Sequence, residues 1–266
     1  MSVSALAAPA GGHSAADVLA AVLDAGTFRS WDAPADRTGA PARYLEQLAR
    51  AEVRAGADEA VLTGEGLLAG RRVAVVVSEF AFLAGSVGTA AAARIVAAVE
   101  RATAERLPLL AAPASGGTRM QEGTGAFVTM AGIVAALSAH RAAHLPYLVH
   151  LRHPTTGGVL ASWGSLGHVT TAEPGALVGL LGPRVQEALT GAALPAGVQR
   201  AENLRRHGVV DAVVPLHRLR ATAARALDVL CAPVAGHPCA GRPGAAAPGR
   251  HLAAVGTRAP VAPVAA

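Results

Sequence analysis

Lysine is absent from this sequence: all 23 of the Lys+Arg residues among its 266 residues are arginine. A strongly GC-rich coding sequence accounts for such a bias, but the chemical exclusions hold whatever its cause. A P-loop ATPase needs a lysine on the nucleotide phosphates, and a Schiff-base enzyme needs a lysine amine, so both classes are excluded. No lysine is available to carry biotin or lipoyl either, so the chain is not a carrier domain.

Cysteine and aromatic residues are scarce as well. The only cysteines are Cys231 and Cys239, which excludes a disulfide framework and a four-cysteine zinc site. Aromatic residues make up 3% of the chain, too few for a series of rings that stack on single-stranded nucleic acid. We therefore interpret the formal charge of +5 as compatible with an anionic small molecule, with no nucleic-acid partner.

Targeting signals are missing too. Residues 1–20 lack the basic start and continuous apolar stretch of a signal peptide, and the run 73–83 is too short to span a bilayer. Apolar residues nevertheless make up 52% of the chain, which allows a large buried core. We expect a soluble, cytoplasmic protein that does not act at a membrane.

The chain divides into three parts by composition and periodicity. Residues 1–57 are expected to form a lead-in with helices at 15–23 and 42–55, and residues 58–232 to form a single α/β core domain. The Pro-, Gly- and Ala-rich segment 233–266 is expected to be a disordered tail.

Short apolar runs alternate with longer helical stretches in the core. The alternation indicates a layered α/β fold. The predicted strands cover residues 73–77, 109–112, 145–151 and 176–181, and the predicted helices cover residues 89–106, 122–143 and 184–189.

A glycine-containing turn follows each of the first three predicted strands, at residues 80–88, 114–123 and 153–159. The pair Gly116-Gly117 precedes a predicted helix, so backbone N–H groups there have no Cβ in the way and lie in the favourable field of the helix dipole. Such a turn suits a developing oxyanion, although the spacing alone favours an ordinary tight strand-to-helix turn.

Side chains offer weaker candidates. Neither Ser86 nor Ser115 lies in a G-x-S-x-G nucleophile motif. His153 and His168 have no metal-ligand spacing, and we expect them to support the structure rather than to act as bases.

Charged residues near the turns are equally inconclusive. Arg119 and Glu122, three residues apart at a helix start, are expected to form a local ion pair. Glu79 and Glu173 have no evident partner in the sequence.

Several motifs in one order resemble a known family. They are ASGGTRMQEG (114–123), LPY (145–147), PTTGGV (154–159), AEPGA (172–176), GPRV (182–185), LP (194–195), QRAE (199–202) and HGVVD (207–211). This combination resembles the carboxyltransferase β subunit of bacterial acetyl-CoA carboxylase over residues 58–215, with looser similarity back to Trp31-Asp32.

The resemblance implies a crotonase/ClpP-like superhelix of stacked ββα units and a reaction. A separate carrier protein would deliver carboxybiotin, whose carboxyl group passes to acetyl-CoA and gives malonyl-CoA for fatty acid or related acyl-chain biosynthesis. The ureido nitrogen would take the α-proton, so no side-chain base is required. The implied partners are an α-type carboxyltransferase subunit, the biotin carboxyl carrier protein and biotin carboxylase, with no covalent cofactor and no metal on this chain.

Site residues follow from the resemblance by motif position. The thioester enolate would be held by backbone N–H groups at Gly116 and Gly117, with the Gly85 turn as a second contributor. The remaining residues expected to line the acyl-CoA and biotin pocket are Phe82, Ala84, Ser86, Ser115, Thr156, Gly157 and Gly158.

The sequence also departs from the family pattern. The N-terminal four-cysteine zinc ribbon is missing, His153 and Thr118 replace the usual Asp and Ala, and Leu180-Leu181 replaces Phe-Ala. A changed acyl specificity is one interpretation. A malonyl-thioester decarboxylase subunit and a non-catalytic partner-binding subunit remain alternatives.

Overall fold

The computed structural model describes residues 12–232, and the predicted disordered tail at 233–266 lies outside the described residues. In chain order the helices and strands are α1 (Ala15–Val22), β1 (Arg29–Ser30), α2 (Ala42–Ala55), β2 (Val61–Leu68), β3 (Arg71–Ser78), α3 (Thr89–Ala104), β4 (Leu109–Ala112), α4 (Gly123–Ala142), β5 (Tyr147–Leu151), β6 (Thr155–Thr156), α5 (Gly157–Val159), β7 (Val169–Ala172), β8 (Val178–Gly179), α6 (Pro183–Thr190), α7 (Ala201–Arg206), β9 (Ala212–Val213) and α8 (Leu216–Leu230).

The strands form a main sheet of seven and a separate pair. The order in the main sheet is β1-β2-β3-β4-β5-β7-β9, in which β1, β2 and β3 pair antiparallel and all later neighbours pair parallel. Strands β6 and β8 form the separate parallel pair. The predicted α/β fold is confirmed.

Helices cover both faces of the main sheet, as the apolar strands predict. Along β3 the buried side chains alternate: Ala74 and Val76 pack into the core under α3 and α4. Val73, Val75 and Val77 pack into a second core under α1 and α8. Because α1 contributes to that second core, the lead-in segment packs as part of the same body.

The best-predicted elements have strong local signals. Strand β4 has the predicted bounds, because it is a purely apolar run that begins directly after Pro108. Helix α2 also has the predicted bounds and ends at Gly56, whose φ of 63° is the left-handed C-cap conformation that glycine favours.

One predicted strand was wrong in extent, and one long strand was not predicted. The strand predicted at 176–181 is reduced to β8, whose two residues pair only with β6. Strand β2 was missed because Gly64 and Gly66 interrupt its apolar pattern. Contacts with another segment of the chain explain both glycines, because a side chain would collide there. A Cβ at Gly64 would stand 2.6 Å from the Phe28 ring, and one at Gly66 would stand 2.7 Å from Leu23.

Helix α4 is apolar around its whole circumference but only partly covered. With the turn before it, residues Met120–Ala142 are long and apolar enough to span a membrane, a test that core helices of soluble proteins also pass. Ile133 and Leu137 are buried, whereas Phe127 and Val128 are 65% and 62% exposed. The exposed side of α4 is therefore an uncovered apolar face.

Candidate active site

The three glycine turns lie at one edge of the main sheet. Strands β3, β4 and β5 are neighbours and run parallel, so their carboxyl ends point the same way. Ligands of α/β proteins bind at this edge. The predicted turns follow these three strands directly.

Backbone hydrogen bonds join the first turn to the second. The N–H of Gly116 donates to the carbonyl of Ala84 at 2.9 Å. The N–H of Val87 donates to the carbonyl of Gly117 at 3.0 Å, and the N–H of Arg119 donates to the carbonyl of Val87 at 2.9 Å. The two turns thus form a short parallel ladder beyond the end of the sheet.

The third turn joins the second in the same way. The N–H of Ser115 donates to the carbonyl of Pro154 at 2.6 Å, and the N–H of Thr156 returns a bond to the carbonyl of Ser115 at 2.9 Å. A Cβ on Gly157 would stand 3.4 Å from the Cα of Gly117, so the glycines of the two turns face each other. The structure brings the three predicted turns, at residues 80–88, 114–123 and 153–159, together, and we call the place where they meet the junction.

Three glycines at this junction, Gly85, Gly117 and Gly157, have positive φ values that favour glycine. Gly85 has a φ of +62°, and a Cβ there would overlap the carbonyl oxygen of Ala114. Gly117 has a φ of +113°, a conformation essentially restricted to glycine. Gly116 differs from these glycines, because its Cβ would meet only Ala84, whose oxygen lies at an ordinary 3.7 Å and whose Cβ lies at 4.0 Å.

This contrast gives a stability prediction. We expect Gly117→Ala to lower the free energy of unfolding by about 1–3 kcal/mol, because alanine is strained at that φ. Gly116→Ala is expected to change it by less than about 1 kcal/mol, since the new methyl group has room. Urea-induced unfolding of the two variants and the wild type measures the difference, and equal losses would contradict the assigned backbone geometry.

The three predicted oxyanion donors already have acceptors within the chain. Gly85 donates to the carbonyl of Phe82 at 2.9 Å, Gly116 donates to Ala84, and Gly117 donates to the Ser115 hydroxyl at 3.0 Å. The peptide unit between Ala84 and Gly85 supplies both the acceptor for Gly116 and the donor of Gly85. Binding an oxyanion therefore requires an exchange of partners, and rotation of this one peptide unit would release two of the three N–H groups.

Backbone strain surrounds the same peptide unit. Leu83 and Ala84 have φ values of 44° and 56°, in the left-handed region that costs a non-glycine residue about 1–2 kcal/mol. The neighbouring serines do not act as free hydroxyls here. Ser86 donates to the Leu83 carbonyl at 2.8 Å, and the fully buried Ser115 donates to the Gly117 carbonyl at 3.2 Å.

The histidine and glutamate candidates contact backbone rather than the junction. Nδ1 of His153 accepts from the N–H of Leu177 at 3.1 Å, and Nδ1 of His168 accepts from the N–H of Tyr147 at 2.9 Å. Burial lowers the pKa of both histidines, so the neutral forms that accept these bonds are favoured. Glu79 accepts from the N–H of Ala15 at 2.8 Å, at the start of α1.

Glu173 and the residues that depart from the family pattern lie in different parts of the structure. Glu173 accepts from the N–H of His153 at 3.0 Å. Thr118 lies at the junction, where its methyl carbon would stand 3.0 Å from a Cβ on Gly158. Leu180 and Leu181 lie at the surface, 61% and 40% exposed.

The main feature that sequence reasoning missed is a buried charge cluster beside the junction. Arg119 forms two ion-pair contacts with the carboxylate of Glu59, one of them at 2.9 Å, and both side chains are almost fully buried. The predicted pair with Glu122 exists at 3.5 Å but is secondary. The presence of an acidic residue directly before the apolar run of β2 was the available signal, because a buried carboxylate needs a partner.

A cavity of about 440 Å³ lies on this cluster. Its walls include Tyr44, Glu59, Thr89, Arg119 and Glu122. Burial and the hydrogen bond to Glu122 raise the pKa of Tyr44 to about 12, so its hydroxyl stays protonated. Burial by itself raises the pKa of Glu122, but bonds from Tyr44 and Thr89 outweigh it and lower that pKa. On this wall the Tyr44 hydroxyl thus donates to the ionised Glu122 carboxylate.

Of the predicted pocket residues, some are buried in the protein interior and others lie at the junction. Phe82 is fully buried, with the Arg119 guanidinium carbon 5.4 Å from its ring centre. Thr156 is largely buried and bonds to the second turn, and Gly157 and Gly158 begin α5 beside Gly117. Within residues 12–232, no group of three or more His, Cys, Asp or Glu side chains is arranged to hold a metal ion.

Two relatives illustrate what the chain is similar to. It is 65% identical over 210 residues to the "Probable biotin-dependent acyl-coenzyme A carboxylase beta3 subunit" of Mycobacterium tuberculosis, a match that covers 79% of this chain and 42% of that protein. It is 44% identical over 216 residues to the acetyl-coenzyme A carboxylase carboxyl transferase subunit beta of Sorangium cellulosum, covering 79% and 76%. The chain therefore spans about two fifths of the length of the mycobacterial relative.

Solved structures share the fold at lower identity. The transcarboxylase 12S structure with bound methylmalonyl-coenzyme A aligns with a TM-score of 0.69 and 22% identity, covering 82% of this chain and 42% of that one. The Pseudomonas malonate decarboxylase MdcD-MdcE hetero-dimer aligns with a TM-score of 0.65 and 24% identity, covering 80% and 85%. These likenesses confirm the predicted crotonase-like fold.

The sequence and the fold agree on one family. Residues 10–235 match the family described as "Carboxyl transferase domain", which includes the junction, the charge cluster and every strand of the main sheet. The resemblance drawn from the glycine motifs is confirmed, and the chain belongs to the carboxyl transferase domain family.

Proposed function

We propose that this chain is the β-type, acyl-CoA-binding half of a biotin-dependent carboxyltransferase, which transfers a carboxyl group from carboxybiotin to the α-carbon of an acyl-CoA. The junction of the three glycine turns at the carboxyl edge of the sheet carries the proposal. Acetyl-CoA is the first substrate to test, with malonyl-CoA as its product.

The donors at the junction suit an enolate. Removal of the α-proton moves negative charge onto the thioester oxygen, and N–H groups at Gly116, Gly117 and Gly85 would hold that charge once their internal acceptors are exchanged. One well-placed donor of this kind is worth roughly 3 kcal/mol in a transition state.

The side chains on the three turns suit a substrate that brings its own base. Ser115 and Ser86 donate to backbone carbonyls, and His153 accepts from a backbone N–H. Carboxybiotin, when bound, supplies the carboxyl group, and its ureido nitrogen supplies the base for the α-proton. This chain's part is then to bind the thioester, orient its oxygen and hold the developing charge.

We further propose that a second carboxyltransferase half covers the exposed apolar side of α4. Phe127 and Val128, at 65% and 62% exposure, lie in the first two turns of the helix that follows the Gly116-Gly117 turn. An uncovered patch of large apolar side chains next to a site marks an interaction surface. A homologous half docked there would close the site from outside.

Reconstitution tests the activity directly. The chain is combined with an α-type half, a biotin carrier protein, biotin carboxylase, ATP and labelled bicarbonate, and is then given acetyl-, propionyl- or butyryl-CoA. We expect label in the product of at least one acyl-CoA, and none when this chain is omitted.

Other outcomes discriminate between the alternatives. No labelled product from any of the three acyl-CoAs would overturn the proposal. Release of CO2 from malonyl-CoA or a malonyl-carrier protein without biotin would instead assign a decarboxylase subunit. Full activity without this chain would indicate a non-catalytic role.

A further inference from the structure

Arg119 lies two residues after Gly117 and is one of the largest fully buried side chains of the described residues. Its guanidinium contacts both oxygens of Glu59 and donates to the carbonyl of Ser86 at 2.6 Å and to the Tyr44 hydroxyl at 3.2 Å. These partners come from three other segments of the chain.

The charge of Arg119 is fully compensated where it lies. Burial alone lowers the pKa of Arg119, but hydrogen bonds and charge from Glu59 outweigh it and raise that pKa further. Removing one partner of such a buried pair leaves an unpaired charge and is strongly destabilising. Lysine cannot reproduce the contacts, because it lacks the planar fork that engages a carboxylate and a carbonyl together.

The contacts of Arg119 span the two turns that carry the predicted donors. Its backbone N–H bonds to Val87 on the first turn, and its side chain bonds to Ser86 on the same turn. Glu59, two residues before β2, anchors the guanidinium from the side of the sheet. The position of the first turn relative to Gly116-Gly117 therefore depends on this side chain.

A second link runs through Glu122. Its carboxylate accepts from the N–H of Thr89 at 2.6 Å, at the first residue of α3, and from the Tyr44 hydroxyl at 2.5 Å. A Cβ on Gly88 would stand 2.7 Å from the carboxyl carbon of Glu122 and 3.0 Å from Arg119, so only glycine permits this close approach. The cluster thus holds the start of α3 as well.

We propose that Arg119, anchored by Glu59, is a positioning residue for carboxyl transfer: it holds the Gly85 turn against the Gly116-Gly117 turn, so that their N–H groups converge on one oxygen once the Ala84–Gly85 peptide unit has rotated. The inference rests on the proposed function. Misplaced donors weaken binding of the enolate more than binding of the uncharged thioester, so the effect falls on kcat.

Turnover of the reconstituted complex tests this role with Arg119→Lys, Arg119→Met and Glu59→Gln. We expect kcat to fall about 10- to 100-fold in each, while KM for the acyl-CoA stays within about threefold. Arg72→Met is the matched control, because Arg72 pairs with Glu65 and Glu105 at the surface and is expected to leave both constants unchanged.

Chemical rescue separates positioning from general support of the fold. The cavity on Arg119 gives a small cation a route to the vacated position in Arg119→Ala. Guanidinium at a few millimolar is expected to raise kcat of that variant several-fold and to leave the wild type and Arg72→Met unaffected. Unchanged kcat in folded Arg119 and Glu59 variants would overturn the inference. A fall in kcat accompanied by an equal rise in KM in these variants, with no rescue of Arg119→Ala by guanidinium, would also overturn it.

Hydrogen exchange provides a readout that does not require activity. In Glu59→Gln, which keeps the size of the side chain, amides at 82–88 and 114–118 are expected to exchange at least tenfold faster, with β4 and β5 unchanged. Unaltered exchange in both turns would overturn the inference. A wild-type complex that makes no product, together with this exchange pattern, would reject the proposed function and retain the role of Arg119 in holding the turns.

Discussion

Replacing Gly85 by alanine is expected to lower kcat of the reconstituted complex by about 100-fold or more. The new Cβ would overlap the carbonyl oxygen of Ala114 and stand 3.2 Å from the Cα of Ser115, both in the backbone of the second turn just after β4. The first turn must move away, and the bond from Gly116 to Ala84 moves with it. Loss of even one well-placed oxyanion donor costs about 10²–10³ in rate.

A matched variant separates contact from backbone strain. Gly70, in the hairpin between β2 and β3, has a φ of +76°, but a Cβ there meets nothing within 4 Å. Gly70→Ala therefore carries a comparable left-handed penalty of about 1 kcal/mol without the collision. Steady-state kinetics and thermal unfolding of both variants provide the comparison. Equal kcat in the two would mean that the Gly85 turn does not position the site.

The location of this junction could be predicted from the sequence, but its hydrogen bonding could not. Apolar runs such as β4 and the glycine motifs after them are local signals, so the strands and the turns were both predictable. The orientation of the peptide between Ala84 and Gly85 depends on the second turn, which supplies Gly116, 32 residues after Ala84, as its partner. Local sequence carries no such information.

The charge cluster escaped prediction for a similar reason. Arg119 and Glu122 suggested a pair because helical spacing of three residues is a local rule. The stronger partner, Glu59, is separated from Arg119 by 60 residues and meets it only when β2 and the first two turns are assembled. Strand β2 itself was hidden by glycines that make room for Leu23 and Phe28. Tertiary contacts decided each of these features.

The exposed apolar side of α4 is expected to bind the second carboxyltransferase half, and Phe127→Glu to weaken that binding at least about 30-fold. A central aromatic side chain in an interface contributes about 2 kcal/mol or more, and a buried unpaired carboxylate adds a further cost. The folded chain should tolerate the change, because Phe127 is 65% exposed and packs little within the chain. Titration of an α-type half by analytical ultracentrifugation measures the dissociation constant.

Val229→Glu is the control for this prediction. Val229 is 76% exposed on α8, which lies on the opposite face of the main sheet from α4. We expect its dissociation constant to match that of the wild type. Equal binding by Phe127→Glu would show that the second half docks elsewhere.

Other results would identify a different occupant of this surface. If the wild type self-associates and Phe127→Glu does not, the occupant is a second copy of this chain. If the wild type binds lipid vesicles and Phe127→Glu does not, the occupant is a lipid surface. Carboxyl transfer by the complex should fall with binding at limiting α-type half and recover when that half is in excess, because in the proposed complex Phe127 acts only by binding that half and the donors at Gly85, Gly116 and Gly117 are unchanged.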